Sequence, residues 1–174
     1  MSEQYYFDAN ALFKYYREET GSLAIRRLVA NATAPILLSP LTVLECFSVI
    51  MGNKRKGSLK KNQANALFHR LRKDMGRDAH THRPFLLIPI PENIYHRAES
   101  LLLLHAGQWQ FGSNDALHIA IAEKLQSHYQ AIMATSDRSM KHVCEHLKIP
   151  VWDVEKVSLS TNDLGTKDTF LSQS

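Results

Sequence analysis

Residues 5–12 read YYFDANAL, and the fold and the chemistry of the chain can both be approached from this stretch. The apolar run Tyr5 to Phe7 is typical of a short buried strand, and the residues after Asp8 favour a helix. Asp8 stands at the junction between the two. A carboxylate at the end of a buried strand is costly to keep away from water. The stretch therefore predicts a strand-to-helix junction that carries an acid to the edge of a sheet.

The totals describe one globular domain. The chain has 174 residues, of which 44% are hydrophobic and 22% charged. No apolar run approaches the roughly 20 residues that span a bilayer, and the N-terminus lacks a signal pattern, so we expect a cytoplasmic protein without a membrane segment. Cys46 and Cys144 lie far apart, which argues against a zinc site or a disulfide framework. We expect a domain over residues 1–155 and a polar tail over residues 156–174.

The charge is unevenly distributed. The net charge is +4, but the segment between Cys46 and Arg77 holds nine basic residues and only one acid, Asp74. That segment carries about +8, so the remainder carries about −4. It is either a solvated helix face or a surface that binds a polyanion, with nucleic acid as the expected partner. The candidate RNA-binding residues are Lys54, Arg55, Lys56, Lys60, Lys61, Arg70, Arg72 and Lys73.

Strand-like and helix-like segments alternate along the chain. The predicted strands are residues 4–7, 34–39, 85–90, 131–136 and 149–154. The predicted helices are residues 10–19, 22–32, 39–52, 58–76, 91–106, 113–128 and 137–147. Ser22 and Ser39 are predicted N-caps, and Gly52 is a predicted helix end. Apolar strands separated by helices predict a three-layer α/β/α domain with a central parallel sheet of about five strands.

Two acids follow predicted strands directly. Asp8 follows the first strand and Asp137 the fourth, so both should lie at the carboxyl edge of the sheet, where ligands bind in such folds. Asp115 lies in the first turn of a helix. Its position is also explained by the favourable interaction of an acid with the helix dipole.

Glu45 is harder to explain by packing. Eight of the eleven residues in LTVLECFSVIM are apolar, and they surround Glu45 on every helical face. An unpaired buried carboxylate costs several kcal/mol, so a cation, a hydrogen-bond network or a cleft should compensate. Thr42, one turn away on the same face, is a candidate to support Glu45. Four converging carboxylates would favour Mg²⁺ or Mn²⁺, and together with a basic surface they suggest phosphodiester hydrolysis.

Four segments resemble the motifs of the PIN domain, in order, over about residues 4–154. They are YYFDANAL, SPLTVLECFSVI, SNDALHIAIAEKL and ATSDRSMKHVCEHLKIPVWD. The sequence is most similar to VapC-like toxin ribonucleases of type II toxin–antitoxin pairs. The resemblance implies that Asp8, Glu45, Asp115 and Asp137 are catalytic and hold the metal. Thr135 and Asn10 match companion residues of the family.

The resemblance also implies an activity and partners. The family uses Mg²⁺ or Mn²⁺ to cleave RNA, leaves a 5′-phosphate and usually forms homodimers. Its toxin members are neutralised by a small antitoxin. This chain is longer than compact toxins, so a nuclease without an antitoxin is one alternative. Others are a non-catalytic PIN module that binds RNA or a protein, and a phosphatase of the haloacid dehalogenase type, in which a second aspartate would replace Asn10.

Several further residues have two interpretations. His118 could contact phosphate or pack in the core. Trp109 and Phe111 could stack on an RNA base or anchor their loop. His80 and His82 lie in a predicted loop, and their spacing would suit a metal ion only by chance.

Overall fold

The structure, a computed structural model, describes residues 3–77, 83–90 and 92–156. His80, His82 and residues 157–174 of the predicted tail lie outside the described residues. The helices are α1 (Ala9–Tyr16), α2 (Ser22–Asn31), α3 (Pro40–Arg55), α4 (Lys61–Asp74), α5 (Ile94–His105), α6 (Ser113–Tyr129) and α7 (Arg138–His146). The strands are β1 (Tyr5–Phe7), β2 (Ile36–Leu38), β3 (Met75–Gly76), β4 (Phe85–Leu87), β5 (Ile132–Ala134) and β6 (Val151–Trp152).

All strand pairs are parallel, in the order β3-β4-β2-β1-β5-β6. Tyr6 is aligned with Leu37 on one side and with Met133 on the other. The strand order reverses at β1, because the chain first builds the sheet toward β3 and then returns to the other side. In open α/β sheets, the crevice outside the carboxyl ends at such a point is where ligands bind. Asp8 lies at this point.

Two hydrophobic cores lie on opposite faces of the sheet. Along β1 the side chains alternate, so Tyr6 enters one core and Phe7 the other. The core around Tyr6 is covered by α5, α6 and α7, and the core around Phe7 by α1 to α4. The predicted three-layer α/β/α fold with a parallel sheet is therefore confirmed.

The element bounds differ from the predictions at several positions. Helices α1 and α5 are shorter than the predicted helices over residues 10–19 and 91–106, and β2, β4, β5 and β6 are shorter than the predicted strands. The sheet has six strands, because β3 lies within the predicted helix over residues 58–76. Helix α3 continues through Gly52 to Arg55, and the chain reverses at Gly57, whose φ is +77°. A glycine inside a helix costs only about 1 kcal/mol, so it need not end the helix. Helix α4 then begins at Lys61, and the N-cap of α2 is Gly21 rather than Ser22.

Within the described residues, no helix combines the length and apolarity needed to cross a bilayer.

We predict that Gly21→Ala lowers the free energy of unfolding by about 2–4 kcal/mol, as measured by chemical denaturation. Gly21 has a φ of +87°, and a Cβ atom there would lie 2.5 Å from the carbonyl oxygen of Val154. Both the backbone conformation and the contact disfavour alanine. Gly52→Ala is the control, since a Cβ there meets nothing within 4 Å and should stabilise α3 by up to about 1 kcal/mol. Equal effects at both positions would contradict this packing.

Candidate metal centre

The carboxyl ends of the central strands open onto a cavity of about 260 Å³. Asp8 follows β1, Asp137 follows β5, Glu45 projects from α3 and Asp115 from the first turn of α6. All four predicted acids line this cavity. The complete lining is Asp8, Ala9, Asn10, Glu45, Ser48, Val49, Asn114, Asp115, His118, Asp137 and Met140.

Asp8 is buried, with 3% of its surface exposed. It caps α1, because its Oδ1 atom accepts a hydrogen bond from the Ala11 N–H at 2.7 Å. Its Oδ2 atom accepts from the Thr135 hydroxyl at 2.6 Å. Burial raises the pKa of Asp8 above its ordinary value, and the charge of Asp137 adds to this, although the two donors and His118 act in the opposite direction. The ionised carboxylate is thus held rigidly in a site that disfavours its charge.

Thr135 connects two of the acids. Its hydroxyl donates to Asp8 and accepts a hydrogen bond from the Asp137 N–H at 3.0 Å. Asp137 in turn caps α7, since its Oδ1 atom accepts from the Met140 N–H at 2.8 Å. The threonine two residues before Asp137 therefore fixes both carboxylates relative to the end of β5.

Asp115 also belongs to this electrostatic unit. Its Oδ2 atom accepts from the Gly112 N–H at 2.8 Å, which closes the first turn of α6. Burial raises the pKa of Asp115, the charges of Asp137 and Glu45 raise it further, and the Gly112 N–H and His118 oppose the shift. Such mutual repulsion between carboxylates is what a bound cation would relieve.

Glu45 is held by two side chains of α6. Its Oε1 atom accepts from Asn114 Nδ2 at 2.6 Å, and its Oε2 atom lies 2.6 Å from His118 Nε2. Burial acts to raise the pKa of Glu45, but the His118 and Asn114 hydrogen bonds and the His118 charge outweigh it, so the pKa is lowered. The glutamate side chain keeps 25% of its surface exposed at the cleft. The sequence predicts that a hydrogen-bond network or a cleft compensates for burial of Glu45, and the structure shows both.

Thr42 supports the site differently from the prediction. In the described part of the chain, its hydroxyl donates to the Phe7 carbonyl at 3.0 Å and pairs with Ser39, and no hydrogen bond joins it to Glu45. Ser39 and Thr42 form the capping box that begins α3, as expected for the Ser39 N-cap. Thr42 therefore ties α3 to β1 rather than holding Glu45 directly. Asn10 lines the cavity as an exposed residue.

The candidate RNA-binding residues lie outside the lining of the cavity. Lys54 and Arg55 form the last turn of α3, and Lys54 is nine positions after Glu45, which is about 14 Å along the helix axis. Lys56, Lys60 and Lys61 surround the turn into α4, and Arg70, Arg72 and Lys73 lie near its end, where the Arg72 guanidinium lies over the Phe47 ring. None of the eight is among the lining residues, all of which are in described segments.

The two aromatic residues before α6 pack within the protein. Trp109 stacks on His142, with ring centroids 4.4 Å apart and an angle of 20° between the planes. Phe111 is buried in the core around Tyr6. Cys46 is buried next to Glu45, and burial raises the pKa of its thiol to about 12. These contacts favour the structural interpretation of Trp109 and Phe111, and Cys46 is a buried thiol of the core.

The donor set fits a hydrated hard cation rather than a closed cage. Among the described residues, no three His, Cys, Asp or Glu side chains are grouped closely enough to enclose a metal ion. Mg²⁺ usually binds through one or two carboxylates and keeps several waters, and the cavity has room for them. The carboxylate oxygens and their mutual repulsion match that mode of binding.

Sequence reasoning missed the contacts of Asn114 and His118 with Glu45. Asn114 was not considered, and His118 was assigned to phosphate contact or core packing. The two residues are four apart, so they share one face of α6 with Asp115 between them. That spacing is visible in the sequence, but its partner on α3 is 69 residues away and becomes visible only in the fold.

Comparisons with known proteins agree with the fold. The family model of the PIN domain matches residues 5–146. The structure is similar to FitAcB from Neisseria gonorrhoeae, with 19% identity, a TM-score of 0.58, and coverage of 87% of this chain and 99% of that chain. It is also similar to VapBC2 from Rickettsia felis bound to a promoter DNA fragment, with 14% identity, a TM-score of 0.57, and coverage of 86% and 97%.

A third similar structure is VapC20 from Mycobacterium tuberculosis, a toxin that cleaves the sarcin-ricin loop. It shares 14% identity and a TM-score of 0.57 with this chain, and the match covers 79% of this chain and 92% of that toxin. At these identities the similarity shows the fold alone. No curated protein matches the chain.

Proposed function

Because the chain belongs to the PIN domain family, we propose that it is a metal-dependent endoribonuclease that acts in the cytoplasm. The observation that carries the proposal is the convergence of Asp8, Glu45, Asp115 and Asp137 on one cavity. Family membership also argues against the dehalogenase-type phosphatase. The non-catalytic PIN module is the remaining alternative, and it predicts neither metal binding nor cleavage.

We propose that Mg²⁺ or Mn²⁺ binds in this cavity and is held by the four carboxylates, directly or through its coordinated waters. When bound, the cation supplies Lewis-acid activation of water and stabilisation of the charge on a phosphodiester. The side chains of this protein determine where the carboxylates are. Thr135 orients Asp8 and Asp137. Two donors near the start of α6, the Asn114 side chain and the Gly112 N–H, orient Glu45 and Asp115 respectively. This preorganisation means that little rearrangement is needed when substrate arrives.

The test of this function is cleavage of a fluorescent RNA by the purified chain. Cleavage in Mn²⁺ that stops on chelation supports a nuclease. Mn²⁺ binding without cleavage of any RNA, across a varied set of sequences and hairpins, would instead favour the non-catalytic module.

We propose that the basic residues of α3 and α4 bind RNA phosphates outside the cleft. The distance of Lys54 from Glu45 suggests that the residues at the end of α3 contact RNA away from the cleaved bond. They would raise affinity without taking part in the reaction, since phosphate contacts position a nucleic acid and depend on salt.

Replacing Lys60 and Lys61 by Glu should weaken RNA binding about 10- to 30-fold at about 0.1 M salt and flatten the salt dependence. Cleavage at saturating RNA should not change. Binding is measured by fluorescence anisotropy over a range of salt concentrations. The matched control replaces Lys124 and Lys148, two exposed lysines elsewhere on the chain, by Glu. Equal weakening by both double variants would mean that only the net charge matters.

We propose that this nuclease is the toxin of a toxin–antitoxin pair and forms a homodimer. The support is that the similar structure VapC20 is a toxin. Co-expression with the product of a short neighbouring gene tests the first part, because an antitoxin should copurify and suppress cleavage. Light scattering of the purified chain tests the second part. A monomer that no neighbouring gene product inhibits would favour a solitary nuclease.

A further inference from the structure

Five of the seven buried polar side chains in the described residues belong to the cleft and the elements beneath it. They are Asp8, Ser39, Thr42, His118 and Thr135. His118 differs from the others because it connects the cleft to the core. Its side chain is 3% exposed, and each ring nitrogen has a hydrogen-bond partner. Nε2 lies 2.6 Å from Glu45 Oε2, and Nδ1 lies 2.8 Å from the Tyr6 hydroxyl.

The direction of the hydrogen bond to Glu45 follows from the chemistry of the partners. An ionised carboxylate can only accept, so His118 Nε2 donates to Glu45. The other nitrogen, Nδ1, pairs with the Tyr6 hydroxyl, and either atom can be the donor. The Tyr6 hydroxyl in turn pairs with the Ser39 hydroxyl at 3.0 Å. A continuous chain of hydrogen bonds thus runs from the first residue before α3 to Glu45 on that same helix.

These hydrogen bonds and the surrounding core restrict the His118 imidazole. Tyr6 is fully buried in the central strand and packs against His118 with ring centroids 5.8 Å apart. Ala116, Ile119 and Ala120, on the same helix, are buried in the surrounding core. His118 therefore cannot turn without breaking the hydrogen bond to Tyr6 or disturbing the core. Its Nε2–H is fixed in the direction of Glu45.

Glu45, by contrast, has a flexible side chain that is partly open to solvent. A free glutamate loses rotamer entropy when a ligand orders it. The His118 and Asn114 donors already order its carboxylate, one at each oxygen. Residues that hydrogen-bond to a metal-binding group in this way typically change metal affinity about 10- to 100-fold when they are removed.

We infer that His118 is a positioning residue that holds the Glu45 carboxylate in the geometry needed to bind a divalent cation. The inference rests on the proposed function, because it takes Glu45 to be a metal ligand. His118 acts through Glu45 and need not touch the metal or the RNA. Tyr6 acts one step further away by fixing the imidazole.

The test compares two variants, His118→Gln and His118→Asn, each of which places an amide at position 118. The Mn²⁺ affinity of each metal-free protein is measured by calorimetric titration. The amide of His118→Gln can reach the position of Nε2 and donate to Glu45. The amide of His118→Asn reaches only the position of Nδ1, where it can contact Tyr6. We expect Mn²⁺ affinity within about 3-fold of wild type for Gln and a loss of about 10- to 100-fold for Asn. His128→Asn, at an exposed position near the end of α6, is the matched control and should bind as wild type does.

The same titration in a Glu45→Gln background shows whether His118 acts through Glu45. There, His118→Asn should change Mn²⁺ affinity less than about 2-fold, since coupled residues are not additive. An unchanged affinity in His118→Asn overturns the inference, and so does an equal loss in both backgrounds. His118→Asn is compared only if circular dichroism shows that it folds. If it does not, the folded His118→Gln protein decides: a loss of Mn²⁺ affinity as large as that in Glu45→Gln overturns the inference.

RNA cleavage is measured separately on the same proteins. Wild-type protein that binds Mn²⁺ with this pattern but cleaves no RNA contradicts the proposed function and leaves the positioning role intact. Mn²⁺ binding with the wrong pattern contradicts the positioning role alone. Failure of the wild-type protein to bind Mn²⁺ contradicts both.

Discussion

Asp8→Asn should reduce RNA cleavage by a factor on the order of 10³ while the protein remains folded. Asp8 is the most buried of the four acids, and its carboxylate faces the cavity shared with Asp137. Loss of its charge removes part of the electrostatic stabilisation on which cleavage depends, and single preorganised groups of this kind contribute about 10²- to 10³-fold. The measurement is the initial rate on a fluorescent RNA at saturating Mn²⁺.

The fold should tolerate this change. Asparagine caps a helix as well as aspartate does, so its side-chain oxygen can still accept from the Ala11 N–H. Glu123→Gln is the matched control, because it neutralises an acid of α6 that pairs with Arg97 away from the cavity. We expect full cleavage from that variant. Cleavage by Asp8→Asn within 10-fold of wild type would remove Asp8 from the site.

The stability of the metal-free proteins should depend on pH in a defined direction. The raised pKa of Asp8 means that its ionised form disfavours folding, mainly because of burial. This cost is complete above the raised folded-state pKa and is relieved as the pH falls through it. Wild type should therefore gain stability relative to Asp8→Asn as the pH falls from neutral toward the ordinary pKa of an aspartate. The opposite trend in thermal unfolding would mean that Asp8 is stabilised as an anion.

Mn²⁺ should raise the midpoint of thermal unfolding by about 5–10 °C when its concentration is about 100 times its dissociation constant. Binding to the folded state alone contributes about 2.7 kcal/mol under these conditions, and each kcal/mol shifts the midpoint by about 2–4 °C at this chain length. The physical reason is that a bound cation offsets the burial and the mutual repulsion that raise the pKa of Asp115 and Asp8. Differential scanning fluorimetry is the measurement.

Two controls make this shift specific to the cleft. Excess EDTA should return the midpoint to that of the metal-free protein. Asp8→Asn should show a much smaller shift than wild type, whereas Glu123→Gln should show the full shift. An equal shift in Asp8→Asn would place the bound Mn²⁺ elsewhere on the protein.

The architecture could be predicted because local patterns and the sheet agree. Apolar strands such as residues 5–7 and 132–134 alternate with helices, and that alternation alone predicts parallel pairing. The positions of Asp8 and Asp137 follow from the same logic, since an acid directly after a parallel strand lies at the carboxyl edge. The two-residue strand β3 could not be predicted, because its pairing with β4 leaves no periodicity in so short a segment.

The interior of the site depended on contacts that are distant in sequence. An apolar helix around Glu45 indicated that something must support the carboxylate, but the sequence offered only Thr42 as a neighbour. The supports are Asn114 and His118, about 70 residues away. The basic segment shows the same limit, because composition indicates a charged surface but not its distance from the acids. Only the packing of α3 and α4 shows that Lys54 and Arg55 lie in the last turn of α3 while Arg72 lies over Phe47.

The most direct test of the central claim is RNA cleavage by wild type and Asp8→Asn in parallel, with Mn²⁺, with EDTA, and with Mn²⁺ restored after EDTA. If the four carboxylates form a metal-dependent nuclease site, wild type cleaves in Mn²⁺, stops in EDTA and recovers, while Asp8→Asn is inactive throughout. Cleavage by wild type that persists in EDTA, or equal cleavage by Asp8→Asn, would contradict the claim.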